Sequence, residues 1–178
     1  KVYVIDVKKA TKGPQIFLSR SHPGLVRRLF ELEVPEIADG TVEIKGVARE
    51  AGSRTKIAVY SHDENVDPVG ACVGNRGSRV QNIVDELFGE KIDIIVWDED
   101  PAILISNVLR PAEVEGVYIN YVSEKEKMAT AVVPEQQLSL AIGREGQNVR
   151  LAARVSGWKI DIKSKAQLEE SGFAFEEY

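Results

Sequence analysis

Two short glycine turns are the part of this sequence best suited to chemistry. Val73-Gly74-Asn75-Arg76-Gly77 and Ile142-Gly143-Arg144-Glu145-Gly146 each place Gly-x-x-Gly after a short apolar run and before another. Each is followed at nearly the same distance by Lys-Ile-Asp-Ile, at Lys91–Ile94 and Lys159–Ile162. With 14 glycines in 178 residues, about one such turn arises by chance. Two in matching surroundings indicate a duplicated module. The chemistry is that of close backbone approach. Glycine lacks the Cβ that would hold a phosphodiester chain at a distance. The helix that follows offers unpaired N–H groups and a partial positive charge. Arg76 and Arg144 add a cation at each tip. The candidate contact set is Gly74, Asn75, Arg76, Gly77, Ser78 and Arg79 in the first copy, and Gly143, Arg144, Glu145, Gly146, Gln147, Asn148 and Arg150 in the second. Arg79, Arg150 and Arg154 either face phosphates or solvate a helix. Val73, Val80, Ile83, Ile142 and Val149 either support the turns or line a groove for bases.

The elements that position these turns follow from periodicity. Val2–Val7 and Gln15–Leu18 read as strands around a turn at Lys9–Pro14. Ser21 is set to cap a helix with Pro23 in its first turn and Leu25, Val26, Leu29, Phe30 and Leu32 on its buried stripe; Pro35 ends it. Val42–Ala48 and Lys56–Tyr60 form a hairpin around Ala51-Gly52-Ser53. Asp67-Pro68 opens a short helix to Val73. The helix after the first turn carries Val80, Ile83, Val84, Leu87 and Phe88 on one face, and strand Lys91–Trp97 turns Ile92, Ile94 and Val96 to one side.

The same order then repeats. Asp100-Pro101 starts a helix to Leu109, with Leu104, Ile105 and Val108 inward. Val117, Ile119 and Tyr121 mark a strand, Ser123–Lys127 a turn and Met128–Val133 its partner. Helix 134–142, the second turn and helix 147–156, with Val149, Ala152 and Ala153 inward, lead to a last strand bearing Trp158, Ile160 and Ile162. This predicts an α+β fold of two like domains, each a three-stranded sheet with three helices on one face. The boundaries are 1–20 for the two leading strands, 21–99 and 100–164 for the domains, and 165–178 for an acidic tail or linker. Asp98–Asp100 leaves almost no linker, which predicts a rigid tandem.

Composition narrows the function. The net charge of −5 argues against indiscriminate nucleic-acid binding, but the charge is segregated. Residues 1–60 carry 11 basic and 7 acidic side chains, residues 61–142 carry 6 and 15, and residues 143–165 carry 6 and 2. A local basic surface can hold a backbone where the global charge does not. The single Cys72 excludes an internal disulfide, fits a reducing compartment, and reads as a small buried hydrophobe. No apolar run is long enough to span a membrane. His22 and His62 lie in turn-like contexts with no carboxylate or cysteine at ligand spacing, so surface or capping roles are expected, and neither metal nor cofactor. Trp158 shares parity with Ile160 and Ile162 and is expected in the core. A phosphate-binding enzyme is disfavoured, since there is no Gly-x-x-x-x-Gly-Lys-Ser/Thr.

The turns resemble those of the KH domain, whose Gly-x-x-Gly loop clamps about four nucleotides of single-stranded nucleic acid. The element order is similar to the bacterial type II form. The likeness extends through Glu33-Val-Pro-Glu36, Val47-Ala-Arg-Glu-Ala-Gly52, Val66-Asp-Pro-Val-Gly70, Leu138-Ser-Leu-Ala-Ile-Gly143, Gly146-Gln-Asn-Val-Arg-Leu-Ala-Ala153 and Gly157-Trp158 to a family of bacterial transcription elongation factors. That resemblance covers residues 1–164. It implies that strands 1–20 end an OB-fold barrel whose beginning is missing from the sequence. It implies non-catalytic binding of single-stranded RNA, the nascent transcript, and association with RNA polymerase and other elongation or antitermination factors. Action in pausing, termination and antitermination, as a cytoplasmic monomer away from membranes, is the corresponding expectation. Glu145 beside Arg144 partly cancels the second tip, and Asn75 leaves the first less basic than a pair of cations would be. The alternative is a scaffold that docks on polymerase without touching RNA.

Overall fold

The computed structural model describes residues 1–172, with Tyr121 and Val122 described through their backbone alone. The chain divides into two units, Lys1–Ile94 and a second that begins at Ile95. Each builds a three-stranded sheet from the predicted order of elements.

The first unit opens with β1 (Tyr3–Ala10) and β2 (Gly13–Ser19), an antiparallel ribbon closed by Thr11-Lys12 rather than by the longer turn expected. Helix α1 (Pro23–Glu33) is capped by His22, not Ser21. The His22 Nδ1 accepts from the Gly24 N–H at 2.9 Å while its ring stacks on Tyr3 at 4.7 Å. Pro35 does not stop helical structure altogether; it starts a second short helix, α2 (Pro35–Ala38). β3 (Val42–Glu50) and β4 (Arg54–Ser61) pair antiparallel, with β5 (Lys91–Val96) beside β4. Asp67 caps α3 (Pro68–Val73) by accepting from the Val69 N–H. After the first glycine turn comes α4 (Ser78–Glu86). Leu25, Val26, Leu29, Phe30, Val34, Ile57, Val59, Cys72, Ile83 and Leu87 form one core, with Ile92 and Ile94 packed against it.

Three residues that the periodicity groups with buried apolar neighbours are exposed. Leu32 is 75 % exposed, although Phe30 and Val34 on either side of it are buried, because it lies on the side of α1 that borders an open cavity of about 690 Å³ with Val2 and Val4. Phe88 is 90 % exposed because α4 has already ended and Phe88 takes left-handed φ 56°, turning its side chain away. Val96 is exposed too, while Ile95, of opposite parity, is buried; the stripe of Ile92 and Ile94 ends where the first unit does.

In the second unit Asp100 caps α5 (Pro101–Val108), and β6 (Gly116–Ser123) and β7 (Glu126–Val132) form a hairpin. β8 (Lys159–Lys163) runs parallel to β7. The expected helix 134–142 is broken into a 3-10 turn at Glu135–Gln137 and α6 (Leu138–Ile142). Helix α7 (Gln147–Ser156) buries Asn148, Leu151, Ala152 and Val155, so its inner stripe lies one residue from that predicted, and Val149 and Ala153 are half-buried. Trp158 is buried as expected. Residues 165 onward begin with a helix, α8 (Lys165–Glu170), held by a Ser164–Gln167 capping box and a buried Leu168. Residues 173–178 and the side chain of Tyr121 lie outside the described residues. No helix among the described residues is long and apolar enough to cross a membrane.

Candidate nucleic-acid interface

The two turns share one backbone. Gly74 sits at φ 75°, ψ −179° and Gly143 at φ 78°, ψ 170°. Arg76 (φ 53°, ψ 30°) and Glu145 (φ 56°, ψ 25°) are left-handed, as are Gly77 and Gly146 at φ 74° and 75°. Each turn is closed by two backbone bonds: Gly77 N–H to Gly74 O and Ser78 N–H to Asn75 O, with Gly146 to Gly143 and Gln147 to Arg144 as counterparts. These closing bonds leave out the N–H groups of Asn75, Arg76, Arg144 and Glu145, at the N-terminal side of a helix of nine or ten residues.

The glycines of each pair have different work. A Cβ on Gly74 would lie 2.6 Å from Cγ of Arg79, and one on Gly143 would lie 2.6 Å from the backbone nitrogen of Asn148. Those two are required by the turn's own packing. A Cβ on Gly77 or Gly146 would meet nothing nearer than 4.0 or 3.9 Å, so these two open outward.

The side chains divide likewise. Asn75, Arg76 and Ser78 are exposed, as are Arg144 and Glu145; Gln147 is half-buried. The cations are not at equivalent places, since Arg76 aligns with Glu145 and Asn75 with Arg144. Arg150 Nη1 donates to the carbonyl of Glu145 at 3.0 Å, behind the second turn. Arg79 turns inward: its Nη1 donates to Glu36 Oε2 at 2.9 Å and to the Ala71 carbonyl at 2.7 Å. Asn148 is only 5 % exposed, and its Nδ2 donates to the carbonyls of Leu109 and Ala141 at 3.0 and 2.9 Å. Its Oδ1 is buried without a partner, a cost that the two donated bonds must outweigh. Glu36 was legible only as part of Glu33-Val-Pro-Glu36; nothing in its spacing announced Arg79 as its partner.

Of the flanking aliphatic residues, Ile83 belongs to the core. Val73, Val80 and Val149 are half-buried, and Ile142 is 40 % exposed. Burial pushes the Cys72 thiol up to about 12, so beneath the first turn it acts as a hydrophobe. The arginines of the leading segment are engaged: Arg20 with Glu86, Arg27 with the Ile44 carbonyl and Arg28 with Glu31.

Residues 20–97 match the NusA-like first KH domain, and residues 101–170 match the NusA-like second KH domain. The chain belongs to the NusA family. Its similarity to the transcription termination/antitermination protein NusA of Halalkalibacterium halodurans is 60 % identity over 177 residues, covering 99 % of this chain and 46 % of that protein. The protein of the same name from Bacillus subtilis is 60 % identical over 172 residues, covering 97 % and 46 %. That from Mycobacterium tuberculosis is 55 % identical over 166 residues, covering 93 % and 47 %. The chain thus spans a little under half the length of these NusA relatives. The crystal structure of APE1850 is similar in fold, with a TM-score of 0.57 at 19 % identity over 79 % of this chain and 97 % of that one.

Proposed function

We propose that this chain is a tandem KH module, within a transcription factor, that binds single-stranded RNA without catalysing a reaction. The observation that carries the reading is the pair of turns whose backbone angles differ by at most 11°, each with an outward-opening second glycine and a left-handed residue at its tip. A nucleotide track of about four residues per turn is the ligand such a device accommodates. The domains are taken as 21–99 and 100–164, with 1–20 as strands of an OB-fold barrel. By family, the ligand is the nascent transcript, and the setting is RNA polymerase with other elongation or antitermination factors. Pausing, termination and antitermination in the cytoplasm, by a monomer, are the processes served.

The test is a titration with an unstructured single-stranded RNA of about ten nucleotides, followed by amide NMR shifts. Shifts at 74–78 and at 143–147 are expected, with affinity falling as salt rises. A folded protein whose turns do not respond excludes the reading. A second reading, docking on polymerase alone, is favoured by one feature: the stretch 61–142, with 6 basic and 15 acidic side chains, suits a basic protein surface better than a polyanion. Crosslinking of a nascent transcript near Gly77 and Gly146 separates the two.

A further inference from the structure

The residue five places after the first glycine of each turn lies directly beneath it. In the first unit it is Arg79, whose Cγ fills the space a Gly74 Cβ would need; in the second it is Asn148. Each donates to a carbonyl of the helix before the turn, Arg79 to Ala71 in α3 and Asn148 to Ala141 in α6. Each also reaches one further element: Arg79 the Glu36 carboxylate of α2, and Asn148 the Leu109 carbonyl at the end of α5. The same mechanical task is therefore done once by a cation and once by a neutral amide. A phosphate ligand must be outward and benefits from charge. Asn148 is neither outward nor charged, and Arg79 spends its guanidinium on partners inside the first unit.

We infer that Arg79 and Asn148 are positioning residues that hold each glycine turn in its left-handed form, and that Arg79 acts through Glu36 rather than on RNA phosphate. This rests on the RNA-binding reading above. The consequence is an asymmetry in kind. The first turn is propped by an ion pair, with side chains 29 % and 32 % exposed; the second is propped by buried amide bonds.

The two possible roles of Arg79 give opposite results for Glu36→Gln. If Arg79 gripped phosphate, Glu36 would compete with RNA, and removing its charge would tighten binding and steepen the salt dependence. If Arg79 is a prop, the change loosens the turn. The measurement is an amide NMR titration of the full chain with the same RNA of about ten nucleotides, at several salt concentrations, reading residues 74–78 and 143–147 separately. Glu36→Gln and Arg79→Met are each expected to weaken the response of the first turn about fivefold, leaving its salt slope and the second turn unchanged. The double variant is expected to bind no more weakly than the worse single one, because the two side chains act as one unit. Asn148→Ser, too short to reach both carbonyls, is expected to weaken the second turn by a similar factor with its slope unchanged. Tighter binding by Glu36→Gln, or a slope reduced by about 0.7 in Arg79→Met, overturns the inference for Arg79. Unchanged binding by both Glu36→Gln and Arg79→Met does so too, and unchanged binding by Asn148→Ser overturns it for the second turn. Absence of any response in the unsubstituted protein is a different result and overturns the RNA reading itself.

Discussion

The two units agree in the backbone of the glycine turn and differ in the side chains packed elsewhere around their sheets. The clearest case is the residue before Lys-Ile-Asp-Ile. In the first unit Glu90, 1 % exposed, accepts from Arg49 Nε and Nη2, from the Gly52 N–H at 2.8 Å and from Thr55 Oγ1 at 2.7 Å. In the second unit that position is Trp158, 5 % exposed, with Lys127 Nζ 5.9 Å from its ring. A satisfied ionic network and an indole thus fill the same place in the same fold. What the duplication keeps is the shape of the turn; the side chain at this position is not kept.

The largest effects should come from those two plugs. Glu90→Gln leaves Arg49, itself only 4 % exposed, without its charge partner, and is expected to cost about 3 kcal/mol or more. Trp158→Ala leaves a cavity and is expected to cost about 3–5 kcal/mol. Amide hydrogen exchange should place the first loss in residues 25–94 and the second in residues 101–163. The two plugs also part company in acid. Burial alone would raise the Glu90 pKa, but hydrogen bonds from Arg49, Gly52 and Thr55 and the Arg49 charge outweigh it and hold the carboxyl below the usual range. Its contribution is therefore complete above the unfolded-state value of about 4.3 and is lost as pH falls through the lower folded value. Glu90 is the one buried carboxylate among the described residues, so exchange protection should fail first in the first unit as pH drops. Equal loss in both units would sink that distinction.

Much of this was legible beforehand, and the misses have physical causes. Asp67 and Asp100 were readable as caps because an aspartate followed by proline leaves little else to do. A capping role for His22 was readable too, but not that it displaces Ser21 as the cap of α1, where its ring stacks on Tyr3. The α4 period puts Phe88 on the face of Ile83 and Leu87 only if it is carried past the end of the helix. The left-handed φ of Phe88 occupies the position where the second unit has Gly157. Asn148, polar and just after the turn, reads as a ligand residue, and its burial is not legible. A buried amide reveals itself only through its partners, and those lie 7 and 39 residues away in sequence.

Smaller effects should grade the four glycines. Gly143→Ala drives a Cβ against the backbone of Asn148, which cannot move aside, and is expected to cost about 3 kcal/mol. Gly74→Ala presses on the flexible Arg79 side chain and should cost about 2 kcal/mol. Gly77→Ala and Gly146→Ala meet no neighbour and carry only the left-handed strain, about 1 kcal/mol. Urea midpoints at constant slope measure the order. RNA affinity should rank differently, because the two mildest changes stand on the outward side. If Gly77→Ala and Gly146→Ala bind RNA like the unsubstituted chain, close backbone approach is not how these turns hold their ligand.

The smallest effect tests the charge difference at the tips. The first turn lies in the acidic stretch of 6 basic and 15 acidic residues; the second lies where 6 basic residues face 2 acidic ones. With Arg79 committed to Glu36, Arg76 is the candidate cation left at the first tip, whereas Arg144 is backed by Arg150 bound to the Glu145 carbonyl. Raising salt from about 50 to about 200 mM should therefore weaken the response of the second turn more than that of the first. Glu145→Gln removes the opposing charge and should tighten the second turn about twofold, while Arg76→Gln loosens the first by about the same factor. Because Arg76 and Glu145 occupy the same left-handed position, these two substitutions make the tips alike in charge at that position. If the salt responses of the two turns then converge, the tip residue sets the asymmetry; if they stay apart, the surrounding helix charges do.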